Sequence, residues 1–217
     1  MSNKKYTTAV FDLDGTLLDT LEDLTASINH MLSLNGFPLR TLGEIRTFVG
    51  NGMAKLVERS LPENADMNNF GAYSKQFTQH YGKNSKNKTH AYDGVLDVLA
   101  ALKEKGIKTA VVSNKMDEQT KPLCREFFGS TVDYAVGQKE GIEKKPAPDS
   151  VFDALRTLGS GKEESVYIGD SDVDFMTAKN SGLDFIGVSW GFKGREFLEA
   201  LGAKTVIDSP QELIEYF

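Results

Sequence analysis

Cysteine is almost missing from this chain: Cys124 is the single one in 217 residues. No intramolecular disulfide can form, so packing and hydrogen bonds must hold the fold, and the usage suits a reducing compartment. Histidine is scarce as well. His30, His80 and His90 stand apart, without the spacing of metal ligands, and no catalytic role is assigned to them. No segment approaches the roughly 20 apolar residues needed to span a bilayer. The apolar stretch Ala9-Val10-Phe11 near the start is too short for a signal-peptide core. Positive charge is not in excess: 25 Lys and Arg stand against 31 Asp and Glu, a net charge of −6. That gives no basic footprint for nucleic acid or an anionic membrane. Internal repeats and low-complexity tracts are absent too. The expectation is a cytoplasmic protein with no nucleic-acid and no membrane partner. Whether it is a monomer or a homodimer is not written in these features.

What is present is ordinary for a globular protein, with 40% hydrophobic and 26% charged residues. The length fits one large domain, or one domain with a small insertion. Short β-branched or aromatic runs predict strands at 7–11, 108–112, 132–136, 165–168, 184–188 and 205–207. Helical patterns at 95–105, 118–128, 149–158, 173–181 and 194–201 alternate with them. Gly106, Gly159, Gly182 and Gly202 sit just past such helices, where a positive φ is wanted. Alternating strands and helices predict a doubly wound parallel sheet of the α/β class. Residues 21–81 break the rhythm with three helical candidates, 21–34, 42–59 and 65–81, and no convincing strand. The polar run 82–88 reads as a linker. The organisation expected is an α/β core, 1–15 and 86–217, interrupted after its first strand by a helical insertion at 16–85.

Ligands of doubly wound sheets lie at the carboxyl ends of the strands. Polar residues with chemical potential cluster there. The first strand runs into Asp12-Leu13-Asp14-Gly15-Thr16, with two carboxylates on one face of an extended chain. Such a pair repels unless a cation or proton compensates. A second cluster, Gly169-Asp170-Ser171-Asp172-Val173-Asp174, packs three carboxylates into five residues, a set suited to a hard divalent cation. The EF-hand reading fails, because Phe175 stands where its glycine belongs and Ser181 where its glutamate belongs. Asp172 is expected to cap the helix that follows, or to face solvent. Ser113-Asn114 offers a hydroxyl and backbone N–H groups to an anion near a helix N-terminus. Lys145, in Lys144-Lys145-Pro146-Ala147-Pro148-Asp149, offers a point charge to a phosphoryl oxygen, with Asp149 able to cap the next helix. Each segment alone also fits a plain turn, cap or solvated loop. Their combination is the signal.

Taken together, these segments resemble the haloacid dehalogenase superfamily. Asp12-Leu13-Asp14-Gly15-Thr16-Leu17 with Asp19 looks like its first motif, Ser113 its second, Lys145-Pro146 its third, and Gly169-Asp170 with Asp174 its fourth. They occur in the family's order and cover most of the chain. Arg46-Thr47-Phe48-Val49-Gly50-Asn51-Gly52 is similar to the cap segment of bacterial phosphoglycolate phosphatases, whose cap enters after the first motif.

The resemblance implies a Rossmann-like core with a small α-helical cap, and a Mg²⁺-dependent phosphatase acting on a small phosphorylated metabolite. Asp12 would be the nucleophile that becomes an aspartyl phosphate, and Asp14 the general acid and then base. Mg²⁺ would be held by Asp12, the Asp14 carbonyl and Asp170, with Asp174 anchoring the site through a bound water or by orienting Lys145. Ser113, Lys145 and N–H groups near Leu13 and Asn114 would bind the phosphoryl oxygens. On the cap, Gly50, Asn51 and Gly52 are candidates for a substrate-facing loop and Arg46 for a substrate carboxylate, with the insertion serving as a lid. Phosphoglycolate is the leading substrate by resemblance alone.

Rival readings are weaker. A β-phosphoglucomutase-like phosphotransferase usually carries a His in the first cap helix, where this chain has Leu24. A phosphonate hydrolase needs a Schiff-base Lys on the cap, and Lys55 is near that position. A non-catalytic Mg²⁺- or phosphate-binding module would not need every catalytic group to be kept. Cys124, beside Leu123 and Phe127, is expected in the core.

Overall fold

The computed structural model describes residues 5–217. In chain order the elements are β1 (Thr8–Phe11), β2 (Leu18–Asp19), α1 (Leu21–Leu34), α2 (Leu42–Phe48), α3 (Met53–Ser60), α4 (Phe70–Asn84) and β3 (His90–Ala91). Then come α5 (Val95–Glu104), β4 (Lys108–Met116), α6 (Asp117–Phe128), β5 (Tyr134–Gln138), α7 (Asp149–Leu158), β6 (Ser165–Gly169), α8 (Asp172–Ser181), β7 (Asp184–Val188), α9 (Arg195–Ala200) and β8 (Val206–Ile207). The chain forms two compact units, one of Met1–Leu18 with Ala91–Phe217, the other of Asp19–His90.

The first unit is built on a six-stranded sheet in the order β5-β4-β1-β6-β7-β8, with parallel pairing throughout. Strands buried on both faces lack polar alternation, and β1 and β6 are buried along their whole length. Successive side chains still point to opposite layers. Phe11, Val111 and Ile168 pack on one side with Val98, Leu99 and Leu102 of α5. Val10, Val112 and Tyr167 pack on the other with Val151 and Leu155 of α7 and Ala178 of α8. Each such aliphatic side chain taken fully from water contributes about 1.5–3 kcal/mol. Cys124 lies in the first of these cores, and burial pushes its thiol up to about 12. The four glycines expected to end helices all have positive φ.

Several boundaries differ from the sequence expectation. The strand expected at 108–112 runs on to Met116, so Ser113 and Asn114 lie within β4 rather than after it. The strand expected from 132 starts at Tyr134, and the Asp133 carboxylate just before it accepts the Thr109 N–H (2.9 Å) and Lys103 Nζ (2.6 Å). Ser171, not Asp172, caps α8, in a reciprocal box with Asp174. Pro148 takes the cap position before α7, and Asp149 is the first helical residue.

In the second unit the single helix expected over 42–59 is two. Val49 is extended, and Gly50 (φ 127°) and Gly52 (φ 86°) adopt backbone that L side chains rarely enter, so α2 stops and α3 starts. α2 opens on a capping box between Thr41 and Glu44. The first residues of the expected linker 82–88 belong to α4, which continues to Asn84. α1 packs on α4, with Ile28, Met31, Leu32, Phe77 and Tyr81 buried. The buried Asp23 carboxylate accepts the Lys88 and Thr89 N–H groups and the Thr89 hydroxyl, which ties the end of this unit to α1.

Candidate active site

Strand order reverses at β1, with β4 on one flank and β6 on the other. That is the switch point at which open α/β sheets bind ligands. Parallel register sets Phe11 opposite Ile168, and the Asp12 N–H donates to the Ile168 carbonyl at 2.9 Å. The residues that leave these two strands are therefore neighbours. Asp12, Asp170 and Asp174 each offer a carboxylate oxygen within 4.8 Å of the others.

Lys145 comes to the same point from the loop before α7. Its Nζ lies 2.7 Å from Asp12 Oδ1, 2.8 Å from Asp174 Oδ1 and 3.0 Å from the Tyr167 hydroxyl. Tyr167 in turn donates to Asp174 Oδ1 at 3.1 Å. The other Asp174 oxygen accepts the Ser171 hydroxyl and N–H. Asp174 is thus committed on both oxygens, and it fixes Lys145. Asp170 is fixed differently. Its Oδ2 accepts the Phe192 N–H at 2.8 Å and its Oδ1 faces the Thr16 hydroxyl at 3.3 Å. Gly15, at φ 91°, passes so close that a Cβ there would sit 2.6 Å from Asp170 Oδ2. No other residue fits that turn.

The electrostatics are unbalanced. Three buried carboxylates face one ammonium, which leaves two negative charges uncompensated. Burial, with Asp174 next and Lys145 opposing, pushes the Asp12 carboxyl up to about 7. Burial, then Asp174 and Asp12, hold Asp170 well above the usual carboxylate range. Burial pulls Lys145 down, but Asp12 and Asp174 outweigh it and keep the ammonium charged. A compact all-oxygen donor set with a deficit of two charges fits a hard divalent cation such as Mg²⁺.

The other expected residues fall as follows. Ser113 is buried, and its Oγ accepts the Lys115 N–H at 3.1 Å. Asn114 Nδ2 donates to the Lys145 carbonyl at 3.1 Å, so this side chain tethers the lysine loop. The Asp14 carboxylate stands outside the cluster of three and pairs with Lys115 Nζ at 2.6 Å. In the helical unit, Arg46 is exposed on α2, and Gly50, Asn51 and Gly52 join α2 to α3. Asn51 Oδ1 accepts from Arg59 Nη2 at 2.8 Å, a partner within that unit. Leu24, where a mutase would need its His, is buried on α1. Trp190 is partly buried against the core and donates Nε1–H to the Thr16 carbonyl at 3.0 Å.

Sequence reasoning missed Lys115, Tyr167 and the Phe192 N–H. Lys115 had a signal, since it directly follows Ser113-Asn114. Tyr167 had a weaker one, a phenol between Val166 and Ile168 in the strand leading to Gly169-Asp170. The Phe192 N–H had none.

The family model described as haloacid dehalogenase-like hydrolase matches residues 9–188. A phosphoglycolate phosphatase of Pseudomonas syringae pv. syringae is 34% identical over 212 residues, covering 94% of this chain and 77% of that protein. One of Nitrosococcus oceani is 32% identical over 211 residues, covering 94% and 93%. A crystal structure of a protein from Lactobacillus delbrueckii subsp. bulgaricus superposes with a TM-score of 0.92 at 35% identity, covering 97% of this chain and 98% of that one.

Proposed function

This chain belongs to the haloacid dehalogenase-like hydrolases, and from that premise we infer that it hydrolyses phosphoglycolate through a phospho-aspartate on Asp12. It is a phosphatase of small phosphorylated metabolites, as its curated relatives are by name. The observation that carries the mechanistic reading is the convergence of the Asp12, Asp170 and Asp174 carboxylates on one point, with Lys145 joined to Asp12 and Asp174.

The Asp12 carboxylate has to approach a dianionic phosphate. Like charges about 4 Å apart cost on the order of several kcal/mol at an effective dielectric near 20. Lys145, held from both sides by Asp12 and Asp174, lowers that barrier by lying beside the attacking oxygen. The Ser113 hydroxyl and the N–H groups after Asp12 and Ser113 bind the non-bridging oxygens. Asp14 gives a proton to the leaving alkoxide and then takes one from the water that frees Asp12. Mg²⁺, held by Asp12, Asp170 and the Asp14 carbonyl, would supply Lewis-acid charge to a phosphoryl oxygen. Asp174 anchors Lys145, since both its oxygens already have partners.

Substrate choice is assigned to the helical unit, with Arg46, Gly50, Asn51 and Gly52 as the residues to vary. Lys55 is a poor Schiff-base candidate, because it is exposed and paired with Glu58 at 2.8 Å instead of desolvated. No helix among the described residues is long and apolar enough to cross a membrane. With a single buried cysteine, this supports a cytoplasmic setting.

A panel of phosphorylated metabolites assayed with Mg²⁺ and ranked by kcat/KM tests the reading. Phosphoglycolate should lead. A nucleotide or sugar phosphate leading by a wide margin would remove the substrate assignment and leave the phosphatase standing. No hydrolysis of any ester, p-nitrophenyl phosphate included, would remove both.

A further inference from the structure

Lys115 is a buried lysine that the mechanism above does not use. Its side chain is 2% exposed, and its Nζ lies 2.6 Å from Asp14 Oδ1. Ammonium groups are strongly hydrated, and a chain keeps one out of water only where a charged partner meets it. Lys115 and Asp14 are 101 residues apart in sequence, so neither chain neighbourhood forces the contact.

The backbone around Lys115 is built to place it. Between Val112 and Met116 the ladder of β4 with β5 slips, and four steps along β4 oppose two along β5, from Val136 to Gln138. An irregularity of this kind re-aims side chains at the end of a strand. Lys115 lies inside it. On one side its N–H donates to Ser113 Oγ at 3.1 Å. On the other its carbonyl is crowded by Gly137, where a Cβ would come within 2.4 Å of Lys115 O. Gly137 is itself pinned, with its N–H donating to Asp117 Oδ1 at 3.0 Å. The lysine stem therefore leaves a backbone fixed from both directions.

We propose that Lys115 is the positioning residue for Asp14: it grips Oδ1 and fixes the carboxyl so that Oδ2 exchanges the proton with the leaving oxygen. This rests on the reading of Asp14 as the proton donor. A short side chain on a turn has free rotamers, and proton transfer needs its donor within hydrogen-bond reach of the leaving atom. A misplacement of about 1 Å at such a site costs on the order of 10²-fold.

The test compares kcat/KM for two esters in the intact enzyme, Asp14→Asn, Lys115→Met and the double variant. One ester is an alkyl phosphate that the enzyme turns over, whose alkoxide needs a proton to leave. The other is p-nitrophenyl phosphate, whose phenolate leaves without one. kcat/KM ends at the first irreversible step, so the later water step does not enter it. The ratio of the two esters within one preparation is independent of the folded fraction. Asp14→Asn should lose roughly 10²–10⁴-fold on the alkyl ester and far less on the aryl ester. Lys115→Met should show the same selective loss, about 10–10²-fold. The double variant should be no worse than Asp14→Asn, because both act through one carboxyl. A selective Asp14→Asn with a Lys115→Met that lowers both esters equally, or neither, overturns the role of Lys115 and leaves the mechanism intact. An unselective Asp14→Asn overturns the proton-donor reading and this inference with it.

Discussion

Lys145 and Asp174 form an ion pair of 2.8 Å in which the side chains are 3% and 0% exposed. The same ammonium also meets Asp12. Removing it leaves three carboxylates facing each other away from water. Lys145→Met should therefore lose about 3–5 kcal/mol of stability in metal-free buffer. A divalent cation restores much of the missing charge, so the deficit should shrink when MgCl₂ is added. Urea unfolding of both proteins with and without the salt checks this. An equal loss in both buffers would mean that the cation does not share the site with Lys145.

Asp12 is nearly buried and is joined to Lys145 at 2.7 Å. Asp12→Asn is nearly isosteric and removes one of three crowded negative charges, so the fold should survive. Turnover should vanish, because an amide does not displace an alkoxide from phosphorus. Circular dichroism checks the first expectation. Mass spectrometry of acid-quenched enzyme checks the second, with a phosphorylated Asp12 peptide in the parent and none in the variant. Near-parental turnover in the variant would end the covalent mechanism.

Mg²⁺ that binds the folded chain alone adds stability by mass action, about 2.7 kcal/mol at a concentration 100 times its Kd. For a chain of this size that corresponds to a rise in Tm of roughly 5–10 °C. EDTA should abolish hydrolysis, and added Mg²⁺ should restore it. Asp170→Asn removes a carboxylate held in place by the Phe192 N–H and faced by Thr16. Its Tm should be nearly insensitive to Mg²⁺. A parental shift in that variant would place the cation elsewhere.

His80 stacks on His30 with ring centroids 4.1 Å apart, and its Nδ1 is 3.0 Å from Ser27 Oγ. Burial, then the charge of His30, lower its pKa from the usual 6.5. The folded state therefore prefers neutral His80, and the unfolded chain binds the proton more readily as pH falls. This contribution is full above about pH 6.5 and is lost as pH drops through the folded pKa. His80 is partly exposed, so the effect is modest. Between about pH 7.5 and about pH 5.5 the intact protein should lose more Tm than His80→Gln does. Parallel declines would show that the stacked pair does not sense pH.

Much of the fold was legible because its signals are local. Strands buried on both faces read as β-branched and aromatic runs, and β1, β6 and β7 match their expected spans to within a residue. Apolar spacing continues across Gly50 and Gly52, so periodicity read one helix over 42–59, while the glycines themselves read as a loop; their positive φ ends α2 there. The Asp12-to-Asp14 and Asp170-to-Asp174 segments stood out for the same local reason, since carboxylates packed into a few residues call for compensation wherever they lie.

Sequence alone determined which groups were available to the chemistry and which strands would deliver them to the carboxyl end of a sheet. Tertiary structure alone decided the pairing: Lys145 meets an aspartate 133 positions away, Lys115 meets one 101 positions away, and Tyr167 closes the network from a strand of apolar neighbours. The reason is physical. Spacing along a chain encodes periodicity and turns, whereas the partner of a buried charge is set by strand order, and strand order leaves no periodic trace in the sequence.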